Sequence, residues 1–264
     1  MSVPLLELRD IVKRFGAVHA LTGVGVECHA GEVVALVGDN GAGKSTLAKI
    51  IAGVLQADRG EVRFEGRPVE INSPKSAAAL NIATVHQDLA LCDNLDIVAN
   101  LYLGREVTSG GWLDETEMER AATTLLRSLS AAIPDVRTPV ASLSGGQRQA
   151  IAVVRATMGN PKLLVLDEPT AALGVAQARQ VLDLIRRLRE RRLGIVLISH
   201  NLAEVFAVSD RIVVLRLGSH VRTFHTGQAT TEQVVSAITG AESEAIPKQG
   251  PKPSFGRCGI ARWR

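Results

Sequence analysis

Aromatic side chains are scarce in this sequence, at 3% of its 264 residues. So thin a supply leaves little for stacking on nucleic-acid bases, and the net charge of +3 does not argue for that partner either. Residues 247–264 carry five basic residues and no acid, so the positive excess belongs to the C-terminal stretch and not to the body. No nucleic-acid partner is expected. Cysteine is almost absent as well: Cys28, Cys92 and Cys258 are far apart, odd in number and in no metal-ligand spacing, which suits a reducing compartment. The opening residues, MSVPLLELRDIVKRFG, lack the basic region and apolar core of a signal peptide, and no window reaches the ~18 uninterrupted apolar residues of a membrane span. Any membrane role is expected to be peripheral.

What the sequence does have is hydrophobic material, 46% of its residues, enough for one large α/β domain with a fully buried sheet. LLELRDIVKRF and GVGVECHAGE alternate like antiparallel strands, and residues 60–69 read as a hairpin arm. VVALVG (33–38), IATVHQ (82–87), LLVLD (163–167) and GIVLISH (194–200) read as strands buried on both faces, and RIVVLRLGSHV opens an edge hairpin. KSTLAKIIAG is a helix that Gly53 can cap, and a further helix runs from about Val175 to Arg192. Between about 89 and 160 the pattern turns helical, with Met118, Ala121, Ala122, Leu125, Leu126 and Leu129 on one face and a connector from Pro134 to Pro139. The expected organisation is therefore one domain over 1–246, a helical subdomain inserted at about 89–160, and a disordered basic tail from 247 to 264.

GDNGAGKS, Gly38 to Ser45, fits the G-x-x-x-x-G-K-[ST] phosphate loop, and it sits between a buried strand and an amphipathic helix as that mechanism requires. Glycines let the backbone wrap a polyphosphate, and inward N–H groups meet the anion at the helix N-terminus. Lys44 adds a point charge for the terminal phosphates, and Ser45 offers a hydroxyl to Mg²⁺. Two adjacent acids close the buried run LLVLD. Asp167 is placed to hold Mg²⁺, and Glu168, pointing differently, to act as general base on the attacking water. A further stretch, LSGGQ (143–147), puts Ser144 and two glycines at the start of a helix, an anion site without a lysine.

An unselected match to LSGGQ is expected in well under roughly one in a thousand chains of this size. Together with the phosphate loop, the acid pair, Gln87 and His200, it makes residues 3–240 closely resemble the ATP-binding cassette (ABC) ATPases. That resemblance implies a P-loop NTPase core with an antiparallel β subdomain and an inserted α-helical subdomain, with ATP and Mg²⁺ as cofactors. It assigns the nucleotide to Phe15, stacked on adenine, and to Gly38, Asp39, Asn40, Gly41, Ala42, Gly43, Lys44, Ser45 and Thr46. Ser144, Gly145, Gly146 and Gln147 then face the γ-phosphate held by another subunit. Mg²⁺ falls to Ser45, Gln87 and Asp167. The chemistry falls to Glu168, His200, Gln87 and Lys44, with Gln87 beside the surface that meets a membrane subunit.

The wording of GDNGAGKSTLAKIIAG, HQDLALCDNLDIVANLYLGRE, LSGGQRQAIAVVRA and DEPTAALGVAQ resembles one subgroup, the cassettes of bacterial monosaccharide importers of the ribose, xylose and fructose type. The implied assembly pairs this chain with a second cassette, most simply a copy of itself in a homodimer, on two permease subunits at the cytoplasmic face of the membrane, supplied by a separate sugar-binding protein. An importer cassette for amino acids or nucleosides, or a soluble cassette acting on ribosomes or DNA, are the alternative readings. Gly174 stands where the family commonly has an aspartate that reaches across the dimer.

Overall fold

A computed structural model describes residues 3–129, 131, 133 and 135–241 of the protein. The expected tail at 247–264 lies outside the described residues, as does Pro134. The first alternating stretch forms β1 (Leu6–Phe15), paired antiparallel with β2 (Val18–Cys28) from Leu6↔Cys28 to Phe15↔Val18. Leu6, Leu8 and Ile11 point inward, and a register shift between Leu8 and Ile11 accommodates the extra residue, with Asp10 at positive φ. β3 (Val33–Val37) is buried at all five residues and runs through the phosphate loop into α1 (Lys44–Ile51). β4 (Arg59–Phe64) and β5 (Arg67–Pro68) form the expected hairpin and complete a four-stranded antiparallel sheet in the order β2-β1-β4-β5.

α2 (Pro74–Ala79) follows, started by a capping box in which the Ser73 hydroxyl accepts from Ser76 N–H. β6 (Ile82–Val85) then enters the central sheet. Between it and the next strand of that sheet lie α3 (Ile97–Tyr102), a short hairpin of β7 (Thr108–Ser109) and β8 (Trp112–Leu113), α4 (Glu115–Ser128) and α5 (Gly145–Thr157). α3 is shorter than its apolar spacing suggests, since the chain leaves the helix at Leu103 and turns at Gly104 with positive φ; Asn100 inside it is buried and turned to the preceding loop. Its amide donates to the carbonyls of Cys92, Leu95 and Asp96, and its oxygen accepts from Cys92 N–H. Of the predicted α4 face, Met118, Ala122, Leu126 and Leu129 are buried and Ala121 and Leu125 half-buried.

β9 (Leu163–Asp167), α6 (Val175–Glu190), β10 (Gly194–Ile198), α7 (Leu202–Val208), β11 (Arg211–Arg216), β12 (Ser219–His225) and α8 (Thr231–Thr239) complete the chain. The central sheet has six strands in the order β12-β11-β3-β10-β9-β6, parallel except for the β11–β12 edge hairpin. Alternate residues of its strands serve opposite faces, which is why they read as unbroken apolar runs. Val34, Leu36, Val165, Val196 and Ile198 pack with α1 and the antiparallel sheet. Leu164, Leu166, Ile195 and Leu197 pack with α3, α4, α5 and α6 on the other side. The phosphate-loop helix α1 and the LSGGQ helix α5 thus lie on opposite faces of one sheet.

Two strands stop earlier than the apolar pattern suggests. β6 ends at Val85 and β10 at Ile198, so Gln87 and His200 stand two residues beyond the ladder. Polar side chains there gain nothing from a position buried on both faces and leave the sheet instead.

Candidate nucleotide site

Strand register gathers the predicted residues at one end of the central sheet. Ile198 pairs with Leu36 on one side and with Asp167 on the other, and Val85 pairs with Leu166. The carboxyl ends of β3, β10, β9 and β6 are therefore neighbours, and the phosphate loop, His200, the Asp167–Glu168 pair and Gln87 all follow from them. Ligands of open α/β sheets bind at this edge.

The phosphate loop is shaped by positions that take no side chain. Gly38 has φ +149°, and a Cβ there would lie 2.0 Å from the Leu215 carbonyl oxygen; at Gly43, φ +101°, it would lie 2.7 Å from that of Ala20. Lys44 folds back over the loop and donates from Nζ to the carbonyls of Gly38 at 2.7 Å and Asp39 at 2.9 Å. Burial lowers its pKa, while Glu168, Asp39 and Asp167 pull the other way. Asp39, Asn40, Gly41 and Ser45 are exposed, Thr46 is half-buried and Ala42 is buried. Exposed Phe15 ends β1 next to the turn into β2, with Lys13 Nζ 5.7 Å from its ring centre.

Asp167 ends β9 half-buried. Burial raises its pKa, and the neighbouring Glu168 raises it further; His86, Lys49 and Lys44 oppose this. His86 and Lys49 belong to the electrostatics of the site without carrying any motif signal beyond their positions beside Gln87 and on α1. Because folded Asp167 holds its proton more tightly than the unfolded chain, stability falls as pH rises from the ordinary carboxylate range through the raised value, and the penalty is complete above it. Asp167→Asn removes that penalty. Its thermal midpoint without nucleotide should therefore exceed the parental value at pH 7 and converge with it in acid, as scanning calorimetry can check.

Glu168 has φ +50°, a left-handed conformation that costs a non-glycine residue about 1–3 kcal/mol. Its N–H donates to the Ile198 carbonyl at 2.9 Å, and its Oε1 lies 3.2 Å from Nδ1 of His200. Two residues 32 apart in sequence are thereby brought into contact across the β9–β10 boundary. Gln87 is exposed two residues beyond β6, whose last pair with β9 is Val85↔Leu166, one residue before Asp167.

The LSGGQ residues stand elsewhere. Ser144 caps α5: its hydroxyl accepts from Gln147 N–H at 3.3 Å, and Gln147 Oε1 accepts from Ser144 N–H at 2.9 Å. Gly145 is exposed, whereas Gly146 is buried, where a Cβ would meet that of Gln177 on α6 at 2.8 Å. This end of α5 lies on the sheet face opposite α1, and among the described residues no hydrogen bond joins 143–147 to the phosphate loop. Gly174 caps α6 with open space where a Cβ would stand.

Sequence reading passed over one pair near the site, Thr170 and Glu204. The Thr170 hydroxyl donates to the Glu204 carboxylate on α7, a helix capped by Asn201, whose side chain accepts from Ala203 and Glu204 N–H. The N-x-x-E spacing of Asn201 and Glu204 was the available signal for that helix.

The ABC transporter family model matches residues 21–171. The xylose/arabinose import ATP-binding protein of Sulfolobus acidocaldarius is 49% identical over 237 residues, which cover 89% of this chain and 94% of that protein. The fructose import ATP-binding protein of Rhizobium meliloti is 44% identical over 247 residues, covering 90% and 95%. Among solved structures, the ADP conformation of an ATP-binding cassette of an ABC transporter superposes with a TM-score of 0.78 at 27% identity, over 91% of this chain and 97% of that one. A dimeric post-hydrolysis cassette bound to ADP and Pi superposes with a TM-score of 0.70 at 25% identity, over 84% and 98%. With the phosphate loop, the acid pair and His200 gathered at one sheet edge and these two import proteins matched along nearly their whole length, the chain belongs to the ABC transporter family as an ATP-binding cassette.

Proposed function

We propose that this cassette hydrolyses ATP to energise import of a monosaccharide, of the pentose or fructose kind, through permease subunits at the cytoplasmic face of the membrane. The observation that carries the reading is the convergence of Lys44, Asp167, Glu168 and His200 at one sheet edge, in a chain that matches sugar-import cassettes almost end to end. In it the phosphate loop holds the nucleotide, Phe15 covers the adenine, Glu168 takes a proton from water, and His200 meets the γ-phosphate.

The donors near Asp167 suit Mg²⁺. Ser45 and Gln87 offer neutral oxygens and Asp167 a carboxylate, a hard-oxygen set, and a cation there would offset the burial that now favours the protonated acid. Among the described residues no group of three or more His, Cys, Asp or Glu is placed to hold a metal. When bound, the ion would neutralise charge developing on the phosphates.

Placement of LSGGQ away from the phosphate loop supports a second copy: Ser144 and Gly145 of one chain would close on the nucleotide held by the other, and a dimeric cassette is among the structural neighbours. The domain reading follows, with the helical block at about 89–160 carrying the partner-facing end of α5. A groove of about 570 Å³ next to Gln87 suits the permease, because His86 and Asp88 line it together with Ala77, Leu103, Arg105 and Arg155. No helix among the described residues is long and apolar enough to cross a membrane.

Proteoliposomes holding the permease, the cassette and the sugar-binding protein should accumulate labelled xylose, arabinose or fructose only with ATP. ATP turnover stimulated by ribosomes, with no membrane association, would contradict the importer reading.

A further inference from the structure

We propose that Thr170 and Glu204 form a positioning pair that holds the left-handed turn of Glu168 against the loop of His200. This rests on the assignment of Glu168 and His200 to the reaction. The segment after β9 is contorted without glycine: Glu168 and Ala172 both have positive φ, at +50° and +60°. Such a backbone persists only where its surroundings over-determine it. Within the segment, Ala171 N–H donates to the Glu168 carbonyl at 3.1 Å and Leu173 N–H to that of Thr170 at 3.2 Å. These bonds are local and fix the turn's shape without fixing its place.

Besides the Glu168–His200 contact, two bonds reach outside the segment. Glu168 N–H donates to Ile198, the last residue of β10, and the buried Thr170 hydroxyl donates to Glu204. Glu204 is anchored in turn by the cap of α7, since Asn201 accepts from its N–H and donates its own N–H to buried Ser199 at 3.1 Å. Ser199 and Asn201 are the two neighbours of His200. The acid and the histidine are thus tied by one closed path: Glu168 to Thr170, Thr170 to Glu204, Glu204 to Asn201, and so to His200. Their 3.2 Å approach joins the two loops, and the Thr170–Glu204 bond is the tie beneath it. Neither member touches the reacting atoms; both act through the placement of Glu168.

The test uses the full chain and three measurements: ATP turnover, nucleotide affinity, and hydrogen exchange at the Glu168 amide. Thr170→Val keeps the shape and removes the hydroxyl. It should lower kcat and speed that exchange by about tenfold each, the scale of one net hydrogen bond, while nucleotide affinity stays within about twofold. Thr170→Ser should restore both. Glu204→Ala, on the half-exposed side of α7, should reproduce Thr170→Val, and the double variant should be no worse than either single one. Should Thr170→Val fail to fold, Glu204→Ala reads the same bond. Unchanged exchange and kcat in these variants, a serine variant as impaired as the valine one, or losses that multiply in the double variant would each overturn the proposal. If instead Glu168→Gln kept parental turnover, the assignment of the base would fall, and exchange at the Glu168 amide would still report on the pair.

Discussion

Glu168→Gln should bind ATP as the parental chain does and turn it over about 10²–10⁴-fold more slowly, the range that a general base contributes. The substitution is nearly isosteric and leaves the backbone N–H on Ile198, so the strained turn keeps its anchor. An amide oxygen cannot take a proton from water at neutral pH, yet it still accepts from His200. ATP should then accumulate unhydrolysed and hold two copies together. Sedimentation should find monomer without nucleotide or with ADP, and dimer with ATP. Parental turnover in this variant would remove Glu168 from the chemistry.

Lys44→Ala should act one step earlier. Its ammonium is buried, lowered in pKa by that burial, and surrounded by the acids Glu168, Asp39 and Asp167. It donates to two loop carbonyls, a pair of bonds it can exchange for phosphate oxygens. A charge-assisted hydrogen bond is worth about 1.5–3 kcal/mol, so losing two of them should weaken nucleotide binding by about 10²–10⁴-fold. Fluorescent-nucleotide titration separates the two variants, since only the lysine variant should lose affinity.

Much of this site is legible before any coordinates, and the reason differs by residue. The phosphate loop shows in sequence because Gly38 and Gly43 stand where a Cβ would strike backbone, so the spacing records a steric demand. β3, β9 and β10 show because burial on both faces leaves an unbroken apolar run. Strand ends show less well: the polar residues of VHQ and ISH, at the ends of β6 and β10, mark an exit from the sheet without fixing Val85 and Ile198 as the last paired residues. The short helices α2, α7 and α8 have too few turns for a periodic stripe; their record is in the caps at Ser73, Asn201 and Thr230. Gly146 was read as part of an anion site, and the structure gives it a second demand, close packing of α5 on α6 at Gln177. Thr170 and Glu204, 34 residues apart, meet only through tertiary packing.

Sequence order also conceals the most consequential distance. LSGGQ stands between the phosphate loop and the acid pair in the chain, yet its helix packs on the sheet face opposite α1. The central claim is therefore that a working site takes its phosphate loop from one copy and its Ser144 from another.

Mixing two inactive variants tests that claim directly. Lys44→Ala leaves Ser144 intact; Ser144→Asp preserves the N-cap of α5 and sets a negative charge against the phosphates. Each should be inactive alone. In a mixed dimer, one site combines the intact phosphate loop of the second variant with the intact Ser144 of the first. Random pairing in a symmetric dimer should recover up to roughly a quarter of parental ATP turnover. A mixture no more active than its separate components would contradict a site built from two chains.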